Sequence, residues 1–289
     1  NIASRLPMGA VQQGKTSERQ DFVDLMRETF AALGMTEELS FSFTSEKTLD
    51  KLGVPSGSEL RQAIPIMNPL TDEYPLIRTT LLTSVLENAA RNVARKNMDL
   101  RLFDIAPVFF PKALPVTELA NEKLMAAGLI TGRRSPIAWD TDNTQVDFYD
   151  MKGILERFLT AIGVQKYTVE RGEHFAMHPG KTALFKKGRD VIAVLGEIHP
   201  TVAANFGIAQ SVYVFEMEVD TLLRYRKKKS TIAALPKYPA STRDLALLVD
   251  AGLTTAEIER VIAKKGGKFF RSATLFDVYT GKQVARGKK

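Results

Sequence analysis

Residues 9–16, GAVQQGKT, match the phosphate-binding pattern G-x-x-x-x-G-K-T. In such a loop the amides and the lysine hold a nucleotide's phosphates, and the Thr hydroxyl holds magnesium. The run LALLVD at 245–250 imitates the apolar strand whose terminal acid faces that magnesium. A nucleotide hydrolase acting through Lys15, Thr16 and Asp250 is therefore one reading of the chain. The loop needs a buried strand directly before it to aim its amides. Residues 1–8, NIASRLPM, carry Ser4, Arg5 and Pro7 and make a poor core strand. The match fits a linker with two glycines better.

Three further groups have chemistry to offer. His174 and His178 stand four apart, a metal-gripping spacing on a helix. Pro179 and Gly180 follow at once and no third ligand has an obvious place, so a hydrogen-bonded role fits better. His199, in EIHP, falls at a helix start. Asp140, Asp142, Asp147 and Asp150 gather around Trp139, the only tryptophan. Paired carboxylates can do acid–base work or bind magnesium. A polar loop, with Asp147 and Asp150 near a helix start whose dipole favours them, accounts for the cluster without either. No serine stands in a nucleophile elbow. Lys227, Lys228 and Lys229, beside Arg224 and Arg226, form either a solvated face or a contact for an RNA backbone.

The chain has 289 residues, enough for about two domains. It has no cysteine, which excludes disulfide scaffolds, thiolate metal sites and cysteine nucleophiles, and fits a reducing cytoplasm. No apolar run approaches the roughly 20 residues that span a bilayer. Starting at Asn1 with no signal pattern, the sequence reads as a piece of a longer protein. Residues 224–289 hold sixteen Lys and Arg against five Asp and Glu, a net +11 where the whole chain is +7. A mildly acidic body thus joins a basic tail, and a polyanion such as RNA is the simplest partner for the tail.

The element that organises the body is 68–111, NPLTDEYPLIRTTLLTSVLENAARNVARKNMDLRLFDIAPVFFP. An extended arm leads to Thr79 or Thr80, either of which supplies an N-cap oxygen for a helix to about Lys96. Leu82, Val85, Leu86, Ala89, Ala90 and Val93 form its apolar stripe. Residues 102–110 then read as a buried strand interrupted by Asp104 and Pro107. Before this element, Ser17 and Gln20 make a capping box for a helix with Phe22, Met26 and Phe30 on one face. Leu39, Phe41 and Phe43 alternate with serines, as in a half-buried strand, and 63–67 read as another short strand. After it come strands at 123–131, 167–170, 183–186, 191–197 and 212–219. Helices at 148–162, 199–206 and 219–225 lie among them. Short links between strands favour an antiparallel sheet, so the class is α+β. Residues 1–15 are an N-terminal linker, 16–225 the body and 226–239 a basic linker. Residues 240–289 show the order β-α-β, with strands at 243–250 and 272–279 around a helix at 254–265. That is the first half of a ferredoxin-like split βαβ fold. Half a sheet in about fifty residues should be poorly packed, or completed by a neighbour.

An arm, a long helix and a long strand in this order resemble the dimer-interface element of class II aminoacyl-tRNA synthetases. The words LIRTTLL, LFDIAPVF, SPIAWDTDNTQVDFYDMKGILE, HPGKTALF, LGEIHPTVAANFGI, LPKYPASTRDLALLVD and LFDVYTGKQVARGKK resemble the β-subunit family of bacterial phenylalanine–tRNA ligases. The resemblance runs from about Thr16 to the end. It implies a class II antiparallel sheet that has lost catalysis, paired with an α subunit in an (αβ)₂ heterotetramer. It implies a truncated ferredoxin-like module for the anticodon of phenylalanine tRNA. ATP and magnesium are implied for the whole enzyme, and none for this piece. The class II ATP site needs an Arg with an acidic partner after the second motif's strand, and here Phe110, Pro111 and Lys112 follow. No catalytic or metal-binding residue is therefore assigned. Candidate subunit contacts are Asn68, Pro69, Arg78, Leu82, Leu86 and Val93. Candidate tRNA contacts are Arg243, Lys268, Arg271, Lys282 and Arg286, and the aromatics Phe269, Phe270, Phe276 and Tyr279 are mostly core.

Overall fold

A computed structural model describes residues 9, 14–113, 115–227, 235, 237–281 and 283–289. Half of the phosphate-loop match at 9–16, much of the basic linker, and Lys282 fall outside that set. The chain divides into two compact units, 1–230 and 231–289.

The first unit is a seven-stranded sheet with helices on both faces. In chain order its elements are α1 (Glu18–Ala32), β1 (Thr36–Glu37), β2 (Phe43–Thr44), α2 (Glu46–Leu52), β3 (Leu76–Ile77), α3 (Leu82–Ala94), β4 (Leu100–Phe110) and β5 (Asn121–Thr131). Then follow α4 (Phe148–Ala161), β6 (Thr168–Arg171), β7 (Met177–Lys187), β8 (Asp190–Ile198), α5 (Pro200–Asn205), β9 (Val212–Glu218) and α6 (Val219–Tyr225). The strand order is β1-β4-β5-β9-β8-β7-β6, parallel only between β1 and β4. The antiparallel, α+β reading of the sequence matches this sheet.

Period-two alternation divides the strands between two cores. In β9, Tyr213, Phe215 and Met217 face α1 and α4, while Val212 and Val214 face α2, α3 and α5. On the first face Phe30 of α1 lies 4.0 Å from Phe158 of α4 and 5.2 Å from Phe215, ring to ring. Gly128 in β5 exists to admit Phe215, since a Cβ there would lie 2.4 Å from its ring. On the second face the α3 residues Leu82, Val85, Leu86 and Ala89 are buried against Leu102, Leu129 and Val214. The capping box of Ser17 and Gln20 forms as the sequence predicts, and so does one between Asp147 and Asp150 at α4. Lys96, in the left-handed region at φ 70°, ends α3.

Two expectations fail in this unit. Residues 63–67 make only an isolated bridge, Pro65 to Leu76. Around Leu39 and Phe41 the polarity is inverted. Both project to solvent, 91% and 81% exposed, while Ser40 turns inward. The inward side holds buried charges, so a hydroxyl is wanted there and not a ring.

Among its described residues the second unit contains one α-helix, α7 (Thr255–Gly266), started by a capping box of Thr254 and Glu257. Residues 243–250 and 272–279 form no ladder among the described residues. Their backbone pairing is limited to the contact of Val249 with Lys289 and of Ala251 with Gly287, beside a bridge from Asp250 to Lys288. Leu245, Leu248, Phe276 and Val278 stay exposed, and no described side chain of this unit is fully buried. A strand needs a neighbour to take its amides and carbonyls, and a split βαβ pair leaves its two strands apart.

Candidate functional site

The arm before α3 is fixed to the sheet by two carboxylates on one face. Register aligns Asp104 of β4 with Ala127 of β5, Ala127 with Glu216 of β9, and Glu216 with Val194 of β8. Asp104 and Glu216 therefore sit one strand apart, and residues 78–81 lie across both.

Arg78 is the largest fully buried side chain among the described residues. Its Nε donates to the Pro107 carbonyl at 2.9 Å, and Nη1 donates to Ser40 Oγ at 2.6 Å and to the Phe41 carbonyl at 3.2 Å. Ser40 in turn donates to Asp104, which lies 3.8 Å from the guanidinium. Backbone bonds close the frame: Arg78 N to the Ser42 carbonyl, and Phe109 N to the Arg78 carbonyl. Phe109 donates outward on the β4 edge, so Pro107, two residues away, loses no ladder partner by lacking its N–H. Burial pulls the Arg78 pKa below its ordinary value, and Asp104 and Glu38 oppose it. Burial likewise raises Asp104, against its bond from Ser40 and the charge of Arg78. Glu38, buried nearby, accepts from Asn88 of α3 through one oxygen and leaves the other unpartnered. Burial pushes it up to about 7.

Glu216 occupies the start of α3. One oxygen accepts from Thr80 Oγ1 at 2.8 Å and from Leu81 N at 3.0 Å. Thr80 Oγ1 accepts from Leu82 N at 3.1 Å, but the cap itself is Leu81, one residue beyond the threonines the sequence predicts there, and it makes no side-chain bond. Burial raises the Glu216 pKa, and these bonds oppose the rise. A helix start is a natural place for an anion. Here the chain's own carboxylate fills it. The neighbouring hollow, about 150 Å³, is lined by Met125, Val191, Val194, Glu216 and Glu218. This face carries apolar groups and carboxylates, a poor surface for phosphate. A wider hollow of about 600 Å³ beside α1 is lined by Arg19 and Arg27, both already paired, to Asp220 and Glu37.

The candidate contacts fall into two sets. Asn68 is exposed, and Pro69 and Val93 are half-buried. Arg78, Leu82 and Leu86 are buried in the chain's own core and offer no surface to a partner. The apolar stripe of α3 was expected to face a second chain, but the sheet of this chain already covers it. What lies open instead is Leu39, Phe41, Met67 and Leu70, the first two on a backbone that Arg78 and Asp104 anchor through Ser40 and the Phe41 carbonyl. Sequence patterning missed Leu39 and Phe41 because alternation says which residues share a face, not which face is wet. Glu216 was missed too, although a Glu two residues beyond Val214 in an alternating strand is a usable signal.

The remaining candidates are more ordinary. Arg243, Lys268, Arg271 and Arg286 are exposed on the second unit, as are Phe269, Phe276 and Tyr279, which the sequence reading placed mostly in a core. Asp250 pairs with Lys288 at 2.8 Å. Lys15 and Thr16 are exposed, and no strand precedes Gly14 among the described residues. His178 and His199 each accept a backbone N–H at Nδ1, from Gly180 and Thr201. That places the ring proton on Nε2 and leaves neither nitrogen free for a metal. Burial lowers His174 to about 4. Among the described residues no group of three metal-ligating side chains occurs, and no helix is long and apolar enough to cross a membrane.

The fold is shared with the pyrrolysyl-tRNA synthetase of Desulfitobacterium hafniense. The TM-score is 0.55 at 12% identity, over 71% of this chain and 68% of that one. The phenylalanine–tRNA ligase beta subunit of Clostridium acetobutylicum is 38% identical over 97% of this chain, and that of Syntrophotalea carbinolica is 35% identical over the whole of this chain. The chain spans about a third of each, 34% and 36%. Residues 236–289 match the ferredoxin-fold anticodon binding domain. Residues 2–219 match the family described as the phenylalanyl tRNA synthetase beta chain CLM domain, and the chain belongs to that family.

Proposed function

We propose that this chain is a non-catalytic scaffold within the β subunit of a cytoplasmic phenylalanine–tRNA ligase. Its first unit is a class II synthetase sheet that pairs with the α subunit in an (αβ)₂ heterotetramer. Its second unit is part of the module that binds phenylalanine tRNA, through Arg243, Lys268, Arg271, Lys282 and Arg286. The whole enzyme joins phenylalanine to its tRNA using ATP and magnesium. The nucleotide's phosphates do not fit this sheet, because Glu216 fills the start of α3 and Glu218 lies beside it.

The observation that carries the scaffold reading is that carboxylate at the helix start. A triphosphate there would find the Leu81 N–H and the Thr80 hydroxyl already donated to Glu216. The pairing reading draws on the open residues Leu39, Phe41, Met67 and Leu70, of which the first two sit on the backbone held by Arg78 and Asp104. Large apolar side chains left in water mark protein contacts. Co-expression with the α subunit, followed by size-exclusion chromatography with light scattering, tests it. A stable complex is expected, and Phe41→Asp should weaken it without changing the melting temperature of the free chain. Separate elution of the two chains would overturn the reading.

A further inference from the structure

Three segments distant in sequence bring cations to one end of the first unit. The first is the connection from α4 to β6, residues 163–167. The second is the turn from β7 to β8, where Lys187 pairs with Asp190 across a two-residue loop of Gly188 and Arg189. The third is the end of α6 with the residues after it, 224–227. Lys227 N donates to the Gly163 carbonyl at 3.0 Å, which joins the third segment to the first. The approach is close enough that a Cβ on Gly163 would lie 2.6 Å from the Lys227 carbonyl oxygen. The Tyr225 hydroxyl donates to Asp190 at 3.0 Å and Arg224 Nη2 to the same oxygen at 3.4 Å, which joins the third segment to the second. Lys187 closes the set. Its ammonium donates to the Gln165 carbonyl and, at 3.2 Å, to that of Lys166, and lies 5.5 Å from the centre of the Tyr225 ring.

These contacts hold the segments together and leave most of their positive charge unmatched. Residues 163–170, 186–190 and 224–227 carry seven Lys and Arg against two carboxylates, Glu170 and Asp190. Both carboxylates are engaged, by Lys186 and by Arg224. Lys166, Arg189 and Lys227 are exposed and make no ion pair among the described residues. Lys166 stands at φ 57°, a conformation that glycine takes freely and lysine does not. Like charges gathered by a fold repel one another, and an anion among them relieves the repulsion.

The surroundings of these charges select the anion. None of the three segments exposes a large apolar side chain, whereas protein contacts are dominated by aromatic and aliphatic anchors. Cations spread over several tied segments suit a run of phosphates, which are held by charge and position alone. Lys228 and Lys229 continue the sequence, and residues 236–289 of the same chain match an anticodon binding domain. An RNA backbone is thus the polyanion that fits.

We infer that this end of the first unit, led by Lys166, Arg189 and Lys227, is a further contact for the phosphates of RNA. It deepens the tRNA-binding reading and rests on it, since that reading places its contacts on the second unit alone.

Binding of a phenylalanine tRNA transcript to the full chain, followed as a function of salt, tests this. Lys166→Asn, Arg189→Gln and Lys227→Gln combined should lower the slope of log affinity against log salt by about 2 to 3, close to one for each cation. Asparagine suits the left-handed backbone at 166, and the triple variant should melt with the parent. Lys47→Gln with Arg95→Gln removes exposed charge elsewhere on the unit and should leave the slope unchanged. A slope that the triple variant leaves intact while Arg271→Ala lowers it would overturn the inference and keep the second-unit reading. An equal fall per charge in the Lys47 and Arg95 variant would reduce the effect to net charge and overturn it as well. So would polyglutamate of matched charge that binds the parent as tightly as the tRNA and is weakened equally by the triple variant. Absence of any tRNA binding would overturn both readings together.

Discussion

Replacing Arg78 with Met keeps an apolar stem and removes the guanidinium with its N–H donors. Three acceptors are then stranded at a site that is 1% exposed, Pro107 O, Phe41 O and Ser40 Oγ, and the Asp104 carboxylate keeps Ser40's bond but loses the cation 3.8 Å away. Removing one member of a buried ion pair costs about 3–5 kcal/mol. In a unit of this size each kcal/mol moves the midpoint by about 2–4 °C, so the variant should melt roughly 6–20 °C lower. Adding Asp104→Leu should restore part of the loss, because an apolar pair replaces an uncompensated charge. Recovery stays partial, since the two carbonyls and the serine remain unpaired. Thermal melts at neutral pH, followed by circular dichroism, read both values. If the single variant melts within about 2 °C of the parent, or the double variant is no more stable than the single, the clamp reasoning is wrong.

Glu38 should give the protein a pH dependence that Glu38→Gln removes. Its pKa is raised to about 7 by burial, above an unfolded value near 4.3. Its contribution is therefore full below about 4.3 and is lost as pH rises through about 7, a change of roughly 3 kcal/mol. Urea titrations of both proteins between those limits should diverge by that amount, the variant being favoured at the alkaline end; parallel curves would contradict it. For the second unit, Arg271→Ala should reduce the slope of log affinity for tRNA against log salt by about 1. An unchanged slope would remove Arg271 from the contact.

The sequence made some parts legible because local and tertiary demands agreed. In α4 the spacing of Met151, Leu155 and Phe158 is both helical and core-facing, and Asp147 and Asp150 cap the helix that follows them. The strands β4 and β9 are long apolar runs in the positions expected. Legibility ended where one element's polarity depends on another far away in sequence. Ser40 points inward only because Arg78 and Asp104 are there, 38 and 64 residues on. Asp104 looked like an interruption in a strand until Arg78 was seen beside it. The stripe of α3 was correct as a stripe, but sequence periodicity carries no label for whose core it fills. Residues 243–250 and 272–279 have strand-like composition, and ladders also need neighbours that composition does not show.

The proposed scaffold role rests on Glu216 filling the start of α3, where a phosphate would otherwise find free N–H donors. Titrating the purified chain with magnesium–ATP in a calorimeter tests this directly. The account predicts no saturable heat up to millimolar nucleotide for the parent protein. A saturable isotherm, weakened by substitutions on the sheet face at Met125 or Val194, would contradict it.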